Sequence, residues 1–410
     1  MSTIKVISSE KFNTNLISLH FVHELTVEDA GKMAVLVNIM VDRCEKYPSK
    51  QAISQQLDLF YGASISSKVS ALGKSQSLEI QMSFLNDKVI DEIILEKTIA
   101  FLAEMVYHPL ITEETVKEAR ELHYDMLKRS LDDPANYLQQ KAFEIAGKQQ
   151  ALGINSNGNA EEILEITLED MIDCYKKLMN KSQLFVHMIG DVDEEETEKV
   201  ISKYFKQTKE LKPIPSFYSF SPIEINERTE NKNFTQSYVI TIYNHDITVA
   251  DPRYWALRVG NALFGQLPSS FLFQEIREKR SLSYSIYSTQ LAFDSIIYAT
   301  AGIQTSQEEE VVELIKQQLE KVCNGDFDES LLNTTKEMLI NMFKSSLDYQ
   351  ATVLGLAFQN SLLQRDKSVE DIVKEIQEVE KEEVVNAMKQ LCLNTVFVLK
   401  GELHGESNES

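Results

Sequence analysis

Thr26-Val27-Glu28-Asp29, near the start of the chain, returns as Thr248-Val249-Ala250-Asp251, 248 − 26 = 222 residues later. Five residues after each Asp stands an alanine, Ala34 or Ala256, inside an apolar pattern of helical period. Two more matches follow in the same order. Asp125-Met126-Leu127-Lys128-Arg129-Ser130-Leu131-Asp132 meets Asn341-Met342-Phe343-Lys344-Ser345-Ser346-Leu347-Asp348 at an offset of 216. Leu184-Phe185-Val186-His187-Met188-Ile189-Gly190-Asp191 meets Thr395-Val396-Phe397-Val398-Leu399-Lys400-Gly401-Glu402 at an offset of 211. One short match is within reach of chance; three in one order are not. They indicate two copies of one domain of about 200 residues, a common domain size.

Each half reads in the same coarse order. A β segment, Leu16–Val22 or Ser237–Tyr243, leads to a helix around 30–46 or 252–264. Two β segments near 62–84 or 282–304 come next, then a helical stretch, then an apolar strand ending in Gly plus an acid. Ser306 with Glu309 predicts a capping box for a helix near 307–323, and Thr167 predicts a helix start. Pro213, Pro215, Pro222 and the polar run Glu227–Asn233 have linker composition. The expected domains are 1–207 and 234–404, with a linker at 208–233 and a tail at 405–410. Sheets and helices mix without regular β-α-β alternation, so the fold class is α+β, two tandem homologous domains of mainly antiparallel sheet packed with helices.

Composition narrows the function classes. With 410 residues, more than one core is expected. The formal charge of −22, with no Lys/Arg cluster, argues against nucleic acid and anionic membranes as partners. No apolar run is long enough to span a bilayer, and Met1–Val6 leads into a strand-like segment rather than a signal peptide, so a cytoplasmic location is expected. Cys44, Cys174, Cys323 and Cys392 are scattered, which argues against disulfides and a cysteine zinc site. His20-Phe21-Val22-His23-Glu24 looks superficially like a zinc motif. Three residues apart on a strand, its histidines point to opposite faces, so they read as surface or strand-end residues. Glu104 and His108 also read as structural, since a helix ends before Pro109.

Asn261-Ala262-Leu263-Phe264-Gly265, continuing through Ser270-Phe271-Leu272-Phe273 to Arg277-Glu278-Lys279-Arg280-Ser281-Leu282-Ser283-Tyr284-Ser285, resembles the second-domain signature of the pitrilysin/insulinase peptidases. Tyr107-His108-Pro109-Leu110-Ile111-Thr112-Glu113-Glu114 resembles that family's link into its long helix, and the likeness extends from about residue 5 to about 403. The resemblance implies a helix bearing His-x-x-Glu-His and a distant Glu. Two histidines at i and i+4 ligate zinc from one helix face, and the Glu acts as general base toward the metal-bound water. Aligned on Pro48-Ser49, those positions hold Val35, Asn38 and Ile39, with the distant Glu on or near Asp125. Aliphatic side chains have no lone pair and an amide is no base. Neither a cofactor nor catalysis is therefore expected in this chain; zinc is expected only in a partner.

The resemblance also implies that Arg277 and Tyr284 match the second-domain pair that touches bound peptide beside the zinc. A guanidinium and a phenol can both donate hydrogen bonds to a peptide carbonyl. Without the resemblance, the same residues read as a surface Arg and a Tyr packed on a sheet. Half-length bacterial relatives work in pairs, one subunit carrying the zinc helix and the other the Arg/Tyr pair. Tyr61-Gly62-Ala63 further resembles a short zinc-lacking subunit of Gram-positive bacteria associated with elongation factor P modification. The expectation is a non-catalytic, peptide-binding subunit of a heterodimeric zinc metallopeptidase, paired with a zinc-bearing paralogue and an unfolded polypeptide substrate. The alternatives are a structural scaffold and an autonomous metalloendopeptidase with an atypical site.

Overall fold

The computed structural model describes residues 3–206 and 216–401. Pro213, Pro215, Glu402, His404 and the 405–410 tail lie outside them. The first strands and helices in chain order are β1 (Ile4–Ser8), β2 (Thr14–Glu24), α1 (Val27–Met40), α2 (Lys50–Leu59), β3 (Ser64–Leu72), β4 (Ser75–Leu85), α3 (Leu95–Tyr107), α4 (Glu113–Asp132) and α5 (Pro134–Ala146). Then come α6 (Ala160–Ile163), α7 (Leu168–Lys181), β5 (Gln183–Gly190), α8 (Glu194–Tyr204), β6 (Asn226–Lys232), β7 (Ser237–Asn244) and α9 (Tyr254–Asn261). After two π-helical segments, Ala262–Gln266 and Phe273–Lys279, the chain forms β8 (Ser283–Leu291), β9 (Ile296–Ile303), α10 (Glu308–Asn324) and α11 (Glu329–Ser346). It ends with α12 (Gln350–Leu362), α13 (Val369–Glu378), α14 (Lys381–Met388) and β10 (Cys392–Gly401).

The duplication is visible in the sheets. One has the order β1-β5-β2-β4-β3 and the other β6-β10-β7-β9-β8. In each, the first pair is parallel and the remaining pairs antiparallel. The fold is α+β, as the lack of β-α-β alternation predicts.

Two compact units form, and neither is contiguous. Among the described residues, the first comprises 3–128, 154–206 and 346–366; the second comprises 129–153, 216–345 and 367–401. One face of the first sheet is therefore covered by α12, a helix from late in the sequence. Leu354 packs on Leu16 and Ile189, and Phe358 on Val22 and Phe185. Gln350 ties α12 down further, its Nε2 donating to the Thr14 carbonyl at 2.7 Å. In the second unit, α5 does the same with Leu138, Ala142 and Ala146 against Ile240, Ile242, Phe397 and Leu399. The opposite face of the first sheet carries α1 and the larger core around Met33, Leu36, Ile80 and Met82.

Four sequence expectations need correction. Residues 226–232 are not linker but the edge strand β6, parallel to β10. Their polar composition hides a strand that shields no core; an edge strand facing water has no need of an apolar face. The helix after Ser306 begins at Glu308 with Gln307 as its uncapped start, and Ser306 has a φ of 82°. Thr167 does form its capping box, with Asp170. His20 and His23 are buried, not at the surface. The match at an offset of 211 is one residue out of register. His187 faces α12, bonding Ser361 at 2.9 Å, whereas Phe397, not Val398, packs against α5. A shift of one residue along a strand exchanges its faces, so the true offset is even.

Candidate functional site

Helix α1 starts at Thr26, whose side chain accepts from the Asp29 backbone N–H. The helix is apolar nearly all round, which is the signature of a helix buried on most sides. Val35 and Ile39 are 0% and 1% exposed and belong to the main core of the first unit. If the alignment on Pro48-Ser49 holds, they stand where two imidazoles would ligate zinc, and they offer the ion no donor. The residues present do not fit the metal. Among the described residues, no three His, Cys, Asp or Glu side chains assemble into a metal-holding group.

Asn38, which the same alignment sets at the general-base position, is held on both sides. Ser67 Oγ, from β3, donates to its Oδ1 at 2.9 Å. Its Nδ2 lies 3.4 Å from His123 Nδ1, on α4. His123 Nε2 in turn is 2.8 Å from the Asn157 carbonyl, so Nε2 carries the proton and Nδ1 accepts from the amide. Burial lowers the His123 pKa, keeping the ring neutral. This chain of neutral hydrogen bonds satisfies its members and leaves no base. Asp125 is exposed. Two positions along a helix turn the side chain about 200°, so α4 presents His123 to Asn38 and turns Asp125 away. No sequence signal marked His123; only the helix phase, fixed once Ala119 and Leu127 are known to be buried, would have found it.

Arg277 and Tyr284 both belong to the second unit. Arg277 lies near the end of the Phe273–Lys279 π-helical segment. π turns insert an extra residue and recur at functional sites. Its guanidinium carbon sits 4.8 Å from the centroid of the Phe273 ring, and Nε is 3.9 Å from Glu278. A tight connection follows. Ser281, at a φ of 55°, donates to the Arg277 carbonyl at 3.1 Å, and Leu282 N–H to that of Ile276 at 3.0 Å. Tyr284 then falls in a bulge of the edge strand β8, because Ser283 pairs with Ile303 and Ser285 with Gly302. A bulge re-aims the extra side chain. Tyr284 is 68% exposed, and the Arg277 side chain 44%. Neither is spent on the core, so both donors are open to a ligand.

Residues 165–339 match the family model described as the peptidase M16 inactive domain. Over these residues the chain is similar to the peptidase M16 family, that of pitrilysin and insulinase. It is 27% identical over 408 residues to the probable inactive metalloprotease YmfF of Bacillus subtilis, covering 97% of this chain and 96% of that one. A conserved protein from Enterococcus faecalis is 28% identical and superposes with a TM-score of 0.89, over 98% of this chain and 97% of that one. A peptidase M16 inactive domain from Pseudomonas fluorescens, 17% identical, shares the fold with a TM-score of 0.83 over 98% and 97%. No helix of the described residues is long and apolar enough to cross a membrane.

Proposed function

We propose that this chain is the non-catalytic, peptide-binding subunit of a cytoplasmic heterodimeric M16 peptidase, whose zinc is held by a paralogous partner. One contrast carries the reading. The positions that would make hydroxide are filled by the core side chains Val35 and Ile39 and the doubly bonded Asn38. The donors suited to a peptide carbonyl, Arg277 and Tyr284, stand exposed at a bulged edge. A fold that only needed to support itself would gain nothing from placing them there. Arg277 stays cationic at any physiological pH, so it can oppose negative charge developing on a carbonyl oxygen.

The test is co-expression with a half-length paralogue bearing His-x-x-Glu-His, followed by turnover of an unfolded polypeptide. Arg277→Ala and Tyr284→Phe should each lower kcat/KM by tenfold or more while the two chains still co-purify. Unchanged turnover in both variants would assign the chain a scaffold role. Endopeptidase activity with stoichiometric zinc in this chain alone would refute the partner reading.

A further inference from the structure

The two sheets share strand order and register, so their α12- and α5-facing sides can be compared position by position. On the first sheet, Ser18, His20, Ser77, Glu79 and His187 occupy that side. The equivalent places on the second are Ile240, Ile242, Ile296, Tyr298 and Phe397. At these five places one copy is polar and the other apolar on the same scaffold. The fold therefore does not require polarity there, and burying polar groups costs free energy unless something uses them.

The polar side opens on a cavity of about 580 Å³ between β3, β4 and α12. That size is typical of small-molecule sites. Lys68, Glu79, Gln81, Ser66 and Ser70 line it with Phe358. Glu79 is pre-positioned. Its Oε1 accepts Ser18 Oγ at 2.9 Å and Gln81 Nε2 at 2.6 Å. Behind Ser18 stands His20, with Nε2 2.9 Å from Ser18 Oγ and Nδ1 3.2 Å from Ser77 Oγ. The His20 ring is locked by stacking on Phe358 at 3.7 Å. The proton order is unique: Ser77 donates to His20, His20 to Ser18, and Ser18 to the carboxylate, which only accepts. Lys68 faces Glu79 directly across the β3–β4 ladder. It nonetheless makes no ion pair among the described residues, so a fixed carboxylate and an uncommitted ammonium stand about 5 Å apart at their Cβ atoms.

We propose that this cavity binds a small zwitterion, a free amino acid or dipeptide, with its ammonium on Glu79 and its carboxylate on Lys68. Charge-assisted hydrogen bonds of both signs are then satisfied at once. Leu72, Ala351 and Phe358 form an apolar wall for an aliphatic side chain.

Isothermal titration calorimetry on the full chain tests this with L-leucine, Leu-Leu and N-acetyl-leucine amide as probes. Leucine or Leu-Leu should bind saturably at one site, and the stronger of the two fixes the ligand size. The blocked amide should not bind. Glu79→Gln and Lys68→Met should each weaken binding tenfold or more. Lys68 is exposed, so its variant stands even if replacing the half-buried Glu79 lowers stability. No saturable binding of either free-ended probe, equal binding of the blocked amide, or full binding by Lys68→Met would overturn the proposal.

Discussion

Asn38 Nδ2 and His123 Nδ1 meet at 3.4 Å, joining α1 to α4. The contact makes Asn38, which the alignment on Pro48-Ser49 sets at the general-base position, part of a structural link. Rebuilding the motif should therefore harm the fold. In Val35→His/Asn38→Glu/Ile39→His, two imidazoles enter a core in which the originals are 0% and 1% exposed, and a carboxylate replaces a paired amide. Unpaired polar groups in such places cost roughly 1–3 kcal/mol each. The triple variant should unfold at markedly lower urea concentration. A variant of native stability that takes up one zinc would contradict this account.

Gly31 on α1 and Gly158 in the loop before α6 approach backbone to backbone. A Cβ on Gly158 would lie 2.4 Å from the Gly31 Cα, and Gly158 has a φ of 77°. Gly62 has the same φ of 77° but open space around its Cβ position. The pair separates two costs. Gly62→Ala should lose only the conformational preference, about 1–2 kcal/mol. Gly158→Ala must lose that and also push α1 away from the loop, so its melting temperature should fall clearly further. Equal losses in the two variants would show that the close approach carries no weight.

Much of this fold was legible in the chain. The Thr26–Asp29 and Thr248–Asp251 repeat marks the approach to a helix in each half of a duplicated scaffold: Thr26 caps α1, whereas Thr248 and Asp251 form the turn ahead of α9. The helix exchange was not. α5 and α12 follow the same repeat, and nothing in an amphipathic pattern says which sheet it will cover. β6 escaped notice because an edge strand has no buried alternation. The burial of His20 escaped for the opposite reason: a polar strand face reads as solvent-facing unless the pocket above it is known. Of the site, the lack of a donor atom at Val35 and Ile39 is given by residue identity alone, whereas the His123 contact depends on how α4 is rotated.

Asp294 should make the second unit less stable as pH rises. Burial pushes its carboxyl up to about 6, against the opposing effect of the Tyr218 hydroxyl. Tyr218 is itself fixed, accepting the Leu152 N–H at 2.9 Å. The folded state thus binds a proton that the unfolded state has released between about pH 4 and pH 6, so stability falls across that window. The full difference is on the order of 3 kcal/mol. Asp294→Asn keeps the acceptor for Tyr218 and removes the titration. Its stability relative to the native chain should increase from pH 4 to pH 6.5 and then level off. Parallel unfolding curves for the two proteins across this range would rule out Asp294 as the source.

His187 should act in the other direction, on the first unit. It is fully buried on β5, with Nε2 bonded to Ser361 and Nδ1 without a hydrogen-bond partner. Burial, helped by His20 and Lys5, lowers its pKa to about 3. The unfolded imidazole takes a proton near pH 6.5 and the folded one refuses it, so stability is lost as pH falls from 6.5 toward 3. The second sheet supplies the replacement, since Phe397 fills the equivalent position. His187→Phe forfeits the Ser361 bond and adds bulk, at a cost of about 1–3 kcal/mol near neutrality. Below pH 6.5 it should regain about 1.4 kcal/mol per pH unit relative to the native chain, because nothing at that position is left to protonate. Urea midpoints at pH 7.5, 6.5 and 5.5 read the difference directly. If the gap between the two proteins stayed constant over that series, the acid sensitivity would have to come from another buried group, and His20 on the same sheet face would be the next to replace.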